Sequence, residues 1–163
     1  MRFTLEQSFD AAPDAVAAAY ADPALYEAFG ELPRAGQPVV LSFDDDGTTT
    51  TLEVRWAFTA HLSPAARAVI DPHRLTWVER SRHDLAARTV TFRLIPDHYG
   101  DRFSCEGSYR FVDDGSGGTV RHTEGELRVK APLVGRAAEH AILDGLADQF
   151  QAEVRLVEQF VKS

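Results

Sequence analysis

Apolar and polar residues alternate from the start of the chain, with Phe3, Leu5 and Phe9 on one side and Arg2, Thr4, Glu6 and Ser8 on the other. A period of two predicts a half-buried strand. Pro13-Asp14 then opens a helix that runs to about Tyr20, because proline fits the first helical position and a carboxylate suits the positive end of the dipole. Asp22-Pro23 starts a second helix, whose stripe of Leu25, Tyr26 and Phe29 is closed by Gly30. From Gly36 to Lys130 the signals are almost all strand. Val39, Leu41 and Phe43 alternate up to Asp44-Asp45-Asp46-Gly47, a strong hairpin signal. Leu52, Val54, Trp56 and Phe58 oppose Thr51, Glu53, Arg55 and Ala57. Further strands carry Leu75 and Trp77, then Val90, Phe92 and Leu94, then Phe103, Cys105, Tyr109 and Phe111, and a last one runs from Thr119 to Lys130. Ser63-Pro64 begins a short helical or irregular piece that ends at Asp71-Pro72. After Pro132 a helical pattern extends from about Leu133 to Val161, its stripe holding Val134, Ala138, Ala141, Ile142, Leu146, Phe150, Val154, Val157 and Val161.

The predicted class is α+β, in the order β-α-α-β(6)-α. Consecutive short strands joined by hairpins form an antiparallel sheet, and the terminal helix is the only large amphipathic element able to cover its apolar face. A twisted sheet cannot lie flat on one straight helix, so seven strands curve around it and leave room for a ligand between. No linker or repeat divides the chain, which reads as one domain over residues 1–163. The net charge of -8 argues against nucleic acid and against an anionic membrane surface. The single cysteine, Cys105, forms no internal disulfide. No apolar run approaches the roughly 18 residues of a membrane span, and the N-terminus lacks a signal-peptide core, so a soluble cytoplasmic protein is expected.

This order, with Ala12-Pro13-Asp14-Ala15-Val16 opening the first helix and Asp22-Pro23 with Tyr26 in the second, resembles the START-like superfamily, which also takes in polyketide cyclases and pollen-allergen-like proteins. Asp71-Pro72-His73-Arg74-Leu75-Thr76-Trp77, Ile95-Pro96-Asp97-His98 and Pro132-Leu133-Val134-Gly135 resemble a bacterial branch of it known only as a family of unknown function. The resemblance spans essentially the whole chain and implies a helix-grip fold around a hydrophobic cavity. Members of the superfamily include lipid and sterol carriers, plant hormone receptors, aromatic polyketide cyclases and chaperone co-factors. No catalytic set transfers residue by residue.

With one apolar face turned inward, Leu52, Val54, Trp56, Phe58, Leu75, Trp77, Val90, Phe92, Leu94, Phe103, Tyr109 and Phe111 either fill a solid core or line a pocket. The candidate ligand-lining residues are Trp56, Phe58, Trp77, Phe92, Phe103 and Tyr109 on the sheet, with Ile142, Leu146, Gln149 and Phe150 on the helix. Parity also turns polar residues inward: Gln7, Glu79, Ser81, Arg121 and Thr123. An unpaired Glu or Arg buried there costs several kcal/mol, so Glu79 and Arg121 either reach solvent at a strand end or meet each other, water or a ligand's polar head. The segment His61 to His73 is too long for a tight hairpin and either gates the pocket mouth or covers the end of the sheet.

Other chemistry is weakly signalled. There is no H-E-x-x-H, no cysteine pair, no compact His/Asp cluster at metal-ligand spacing and no G-x-S-x-G elbow, and no cofactor is implied. Asp44-Asp45-Asp46-Gly47 reads as a turn, His140 and Asp144 as an exposed helical pair, and Cys105 as a small core residue. The expected function is binding of a hydrophobic small molecule (lipid, isoprenoid, or aromatic and polyketide-like) for transport, sequestration or sensing. One alternative is a cofactor-free cyclase or dehydratase using Glu79, Tyr109 and Arg121. The other is a protein-interaction module.

Overall fold

In chain order the elements are β1 (Arg2–Phe9), α1 (Pro13–Tyr20), α2 (Pro23–Phe29), β2 (Val39–Asp45), β3 (Thr49–Ala57), α3 (Pro64–Arg67), a turn of 3-10 helix (Pro72–Arg74), β4 (Thr76–Asp84), β5 (Thr89–Pro96), β6 (Phe103–Asp113), β7 (Thr119–Val129) and α4 (Gly135–Lys162). This computed structural model describes residues 1–59, 61–62, 64–67 and 70–163. The strands form one antiparallel sheet in the order β1-β7-β6-β5-β4-β3-β2, and α4 lies along its concave side. This is the helix-grip architecture.

Alternation builds the two faces. Leu52, Val54 and Trp56 of β3, Val90, Phe92 and Leu94 of β5, and Cys105, Tyr109 and Phe111 of β6 are all buried on the concave side. The convex side carries cross-strand ion pairs: Arg80 with Glu53 at 3.2 Å, Arg93 with Glu106 at 2.9 Å and Arg110 with Glu124 at 3.3 Å. Such exposed pairs add little stability but keep the outer face solvated.

The grip needs a bend, and two facing glycines supply it. Gly107 of β6 pairs directly with Gly125 of β7. A Cβ on Gly125 would fall 2.5 Å from the Phe3 ring, and one on Gly107 would collide with the Glu124 carbonyl and sit 2.9 Å from the Phe92 ring. Backbone blocks the Gly107 position, so Gly107→Ala is expected to destabilise by roughly 2–4 kcal/mol. Urea denaturation checks it, and a loss below 1 kcal/mol would show that the bend adapts.

The two short helices close one end of the concavity. α2 starts on Asp22, whose carboxylate accepts from the Ala24 N–H at 2.9 Å, and Val16, Tyr20, Leu25, Tyr26 and Phe29 are buried beneath the pair. At the opposite end stand the 30–38 and 130–134 loops, the described residues between β3 and β4 (58–59, 61–62, 64–67 and 70–75) and the 97–102 loop. The backbone of α4 approaches β1, β7, α1 and α2 closely and stands away from β3, β4 and β5.

Four expectations need correction. In β2, Val39, Leu41 and Phe43 are exposed, at 56%, 45% and 48%. A bulge at Leu41 resets the parity between Val40 and Ser42, and this edge strand has only one neighbour. The long helix begins at Gly135, because Leu133 takes a left-handed φ of 68° and is fully exposed; Val134 and Ala141 of the predicted stripe face out as well. Leu75 lies just before β4, capping the 3-10 turn. The predicted piece after Ser63 divides into α3 and that 3-10 turn; Ser63 and Val69 lie outside the described residues, and Ile70 is half-buried.

Candidate functional site

The floor of the concavity is polar, which is unusual for the centre of a fold. Arg121, on the inward face of β7, is 1% exposed, and its Nη1 lies 3.4 Å from Glu153 Oε2 of α4. Its Nε donates to Gln7 Oε1 at 3.0 Å, across the β1–β7 pairing that sets the two residues opposite each other. Glu153 also accepts from the Tyr20 hydroxyl at 3.0 Å. Tyr26 in turn donates its hydroxyl to the Tyr20 carbonyl at 2.8 Å, fixing α2 against the end of α1. The Arg121 guanidinium is enclosed by rings, with Phe150 at 4.4 Å, Tyr20 at 4.9 Å, Tyr109 at 5.5 Å and Phe9 at 5.8 Å from its carbon. A planar cation between aromatic faces is well held, and the carboxylate balances its charge.

Above the floor sits a second carboxyl. Glu79, on the inward parity of β4, is half-buried, with its carboxyl desolvated on the concave side of the sheet. Burial, reinforced by the negative charge of Glu153, raises its pKa from 4.5 to about 7, against the opposing pull of Arg121 and the Trp56 indole N–H. Trp56 Nε1 is directed toward that carboxyl closely enough to favour ionisation, yet forms no hydrogen bond. Glu153 is likewise held above the usual carboxylate range by desolvation, which outweighs its bonds to Arg121 and Tyr20. Desolvation also raises the Tyr109 phenol well above its ordinary value, with Glu79 adding to the shift.

Several enclosed polar atoms lack partners: Trp56 Nε1, Arg121 Nη2, Thr123 Oγ1 and both amide atoms of Gln149. Native interiors leave few such groups; here the Trp56 indole faces Glu79 and the Gln149 amide faces Glu153, each closely enough to favour the ionised carboxyl. Around them Trp77, Phe103, Ile142 and Leu146 pack against the core while remaining half-buried, as do Gln149 and Phe150, which extends over Arg121. Burial falls along α4 from Val157, fully buried, toward its N-terminal half. Helix and sheet therefore converge at the floor and diverge toward the open end, where a surface recess lined by Pro33, Arg34, Thr59, His61, Asp148 and Gln151 lies beside α4.

Sequence parity puts Trp56, Trp77, Glu79, Phe92, Phe103, Tyr109 and Arg121 on one side of the sheet; of the helix residues predicted with them, Phe150 reaches the Arg121 guanidinium. Phe58 stands apart at the open end, past β3, where it bridges to Ala35. The reading in which Arg121 reaches solvent is overturned, because β7 continues well beyond it and Glu153 covers it. Glu153 and Tyr20 were missed. The signal for Glu153 was present: it lies three residues after Phe150 and four before Val157, in the middle of the buried stripe. Buried His83, the inward neighbour of Ser81, was missed as well; its Nε2 is 2.9 Å from Ser81 Oγ and its Nδ1 has no partner. Desolvation lowers its pKa from 6.5 to about 4. Desolvation also pushes the Cys105 thiol up to about 12, so it carries no thiolate at neutral pH. Among the described residues no cluster of three His, Cys, Asp or Glu is placed to hold a metal ion.

A seven-stranded antiparallel sheet curved around one long terminal helix is the helix-grip fold. The sequence model of a family described as a protein of unknown function (DUF2505) matches residues 4–161, and the chain belongs to that family. No curated protein matches it by sequence. Among solved structures it is similar to a protein from Thermus thermophilus, with a TM-score of 0.69 and 17% identity over 99% of this chain and 97% of that one. It is also similar to the Zhui aromatase/cyclase of a Streptomyces species, with a TM-score of 0.66 and 16% identity over 99% and 93% of the two chains. Norcoclaurine synthase from Thalictrum flavum, solved with a transition-state analogue, gives a TM-score of 0.66 and 22% identity over 100% and 96%. These likenesses describe the fold. No helix is long and apolar enough to cross a membrane among the described residues.

Proposed function

We propose that this protein binds a hydrophobic small molecule between the concave sheet and α4, with its polar end toward Arg121, Gln149 and Trp56. The observation carrying this reading is the set of enclosed, unpartnered polar atoms inside an aromatic and aliphatic wall. A core built only for stability would satisfy such atoms or replace them with apolar groups of the same shape. Lipid, isoprenoid and polyketide-like molecules all offer the apolar body that the half-buried wall of Trp77, Phe103, Ile142 and Leu146 would cover. That similar folds belong to an aromatase/cyclase and to norcoclaurine synthase supports a small-molecule site in this position. Titration of the full-length chain with a neutral apolar fluorophore such as phenylnaphthylamine is expected to give saturable binding. Replacing Leu146 with Trp, to fill the space, should weaken it at least tenfold with the fold intact by circular dichroism. Absence of saturation, or binding indifferent to Leu146→Trp, would overturn the reading.

A second reading is favoured by one feature, the Glu79 carboxyl poised near neutrality beside Tyr109. A carboxylate there could take a proton from a carbon next to a carbonyl, leaving an enolate whose oxygen Tyr109 protonates, as a cyclase or dehydratase requires. Deuterium exchange next to the carbonyl of a bound aryl ketone, lost in Glu79→Gln, would establish it. The interaction-module alternative needs a contiguous exposed apolar patch; the large exposed apolar side chains lie on edge strand β2, at Leu85 and Val112, and at Leu133 and Val134.

A further inference from the structure

Glu79 stands inside an aromatic frame built by strand register. It is paired with Val54 of β3 and Leu94 of β5, both buried. Two residues toward the open end, Trp56 and Trp77 oppose each other across β3 and β4; two residues toward the floor, Phe92 lies opposite Ser81. Opposed side chains on one face of an antiparallel sheet stand about 5 Å apart and diagonal ones roughly 7–8 Å, within reach of aromatic and long side chains. All three rings therefore border the carboxyl.

No cation accompanies it. The arginines of the neighbouring strands point outward, where Arg55, Arg80 and Arg93 pair with Asp97, Glu53 and Glu106. Among the described residues Arg121 is the one cation that Glu79 senses, and Arg121 is already paired with Glu153 at 3.4 Å. The other groups facing Glu79 are the Trp56 indole of β3, the Cys105 thiol and Tyr109 phenol of β6, the Tyr26 phenol of α2 and Glu153 of α4. His83 lies four residues further along its own strand. Burial keeps the thiol, both phenols and the imidazole uncharged at pH 7. Two carboxyls thus share one guanidinium, and an ionised Glu79 has no counter-ion. A carboxylate head on a ligand would add a third negative group, and a neutral head would leave Glu79 unbalanced. A carboxylate among aromatic rings suits an ammonium, which is held by the charge and by the ring quadrupoles together.

We propose, resting on the binding reading above, that the pocket takes a hydrophobic amine, its protonated nitrogen paired with the Glu79 carboxylate between Trp56, Trp77 and Phe92. Glu79 is then the specificity-determining residue. Its carboxyl, raised to about 7, also makes the preference depend on pH: the cation is favoured above that value, where Glu79 is ionised, and loses its partner below it.

A series sharing one apolar body tests this: naphthalene, naphthylmethanol, naphthylmethylammonium and naphthoate, each competing with phenylnaphthylamine for the full-length chain. At pH 8 the amine is expected to bind at least tenfold more tightly than the isosteric alcohol, and naphthoate more weakly than either. Between pH 8 and pH 6 the amine's advantage should fall about tenfold, following the ionised fraction of Glu79 while the ligand keeps its proton. Glu79→Gln should bring amine and alcohol to the same affinity at both pH values. The pH ratio is read on the wild type alone, so it decides the matter even where Glu79→Gln fails to fold. If the neutral members bind and the amine gains nothing over the alcohol, or gains as much at pH 6 or in Glu79→Gln, or if naphthoate binds as tightly as the amine, this inference fails while the binding reading stands. If no member binds, naphthalene included, the binding reading fails and this one with it.

Discussion

Arg121→Met is expected to destabilise the protein by about 3–5 kcal/mol, and Arg121→Met combined with Glu153→Gln to recover most of that loss. Arg121 and Glu153 are 1% and 6% exposed, so neither charge reaches water when its partner is removed. The single variant leaves a carboxylate without a cation at the meeting point of α1, α4 and β7, with the neutral Tyr20 hydroxyl and Gln149 amide beside it. The double variant removes both charges and keeps an acceptor for Tyr20. Met suits the pocket left by the guanidinium, because its flexible thioether packs well against the surrounding Phe9, Tyr20, Tyr109 and Phe150 rings. Urea midpoints for the wild type, both single variants and the double give the coupling directly, with an expected interaction of at least 2 kcal/mol. A loss below 1 kcal/mol for Arg121→Met alone would mean that water reaches the floor and the ion pair is solvated. The same experiment bears on function, because an ion pair that could be replaced without loss of stability is a plausible device for orienting a ligand.

The sheet was the most legible part of the molecule, for a physical reason. Strands β3 to β7 each have two neighbours and one covered face, so period-two alternation maps directly onto inside and outside, and Arg121 and Thr123 followed from parity, as did Gln7 on the bulge-free edge strand β1. The same rule failed on β2, whose bulge at Leu41 shifts parity by one residue and whose edge position leaves Phe43 half-exposed beyond the cover of the helices. Helix faces were read less well. A stripe of apolar residues identifies the buried side of α4, but the apolar pair Leu133 and Val134 extended it falsely past the left-handed turn at Leu133. Glu153 was passed over because an acidic residue beside a stripe is ordinarily its solvated margin. Its place in the stripe was readable, but its partner was not: Arg121 arrives from a strand 32 residues earlier, a long-range pairing that no local pattern displays. Tyr20 and His83 are of the same kind. Their environments are made by packing between elements, and sequence spacing reports only the elements.

The largest pH effects should come from two buried groups that act in opposite directions. Glu79 has its folded pKa raised from 4.5 to about 7, so its contribution to stability is fully present below pH 4.5 and is lost as pH rises through 7. His83 has its folded pKa lowered from 6.5 to about 4, so its contribution is present above pH 6.5 and is lost as pH falls toward 4. Each shift corresponds to roughly 3 kcal/mol, somewhat less for the partly accessible Glu79. Between about pH 6.5 and 4.5 the two nearly cancel, and the wild type should show little change in its urea midpoint from this pair. Removing one exposes the other. Glu79→Gln should lose 2–3 kcal/mol on acidification from pH 7 to 4.5, because the unfolded His83 takes up a proton that the folded one refuses. His83→Gln should gain about 2 kcal/mol over the same interval, because only the folded Glu79 accepts a proton there, and its amide can still bond Ser81 as the imidazole does at 2.9 Å. Contributions from Glu153 and the exposed carboxylates are common to all three proteins and drop out of the comparison. Midpoints at pH 8, 6.5, 5.5 and 4.5, each taken relative to the wild type, therefore give slopes of opposite sign for the two variants. Parallel profiles for the three would show that neither group is desolvated as its position between sheet and helices requires.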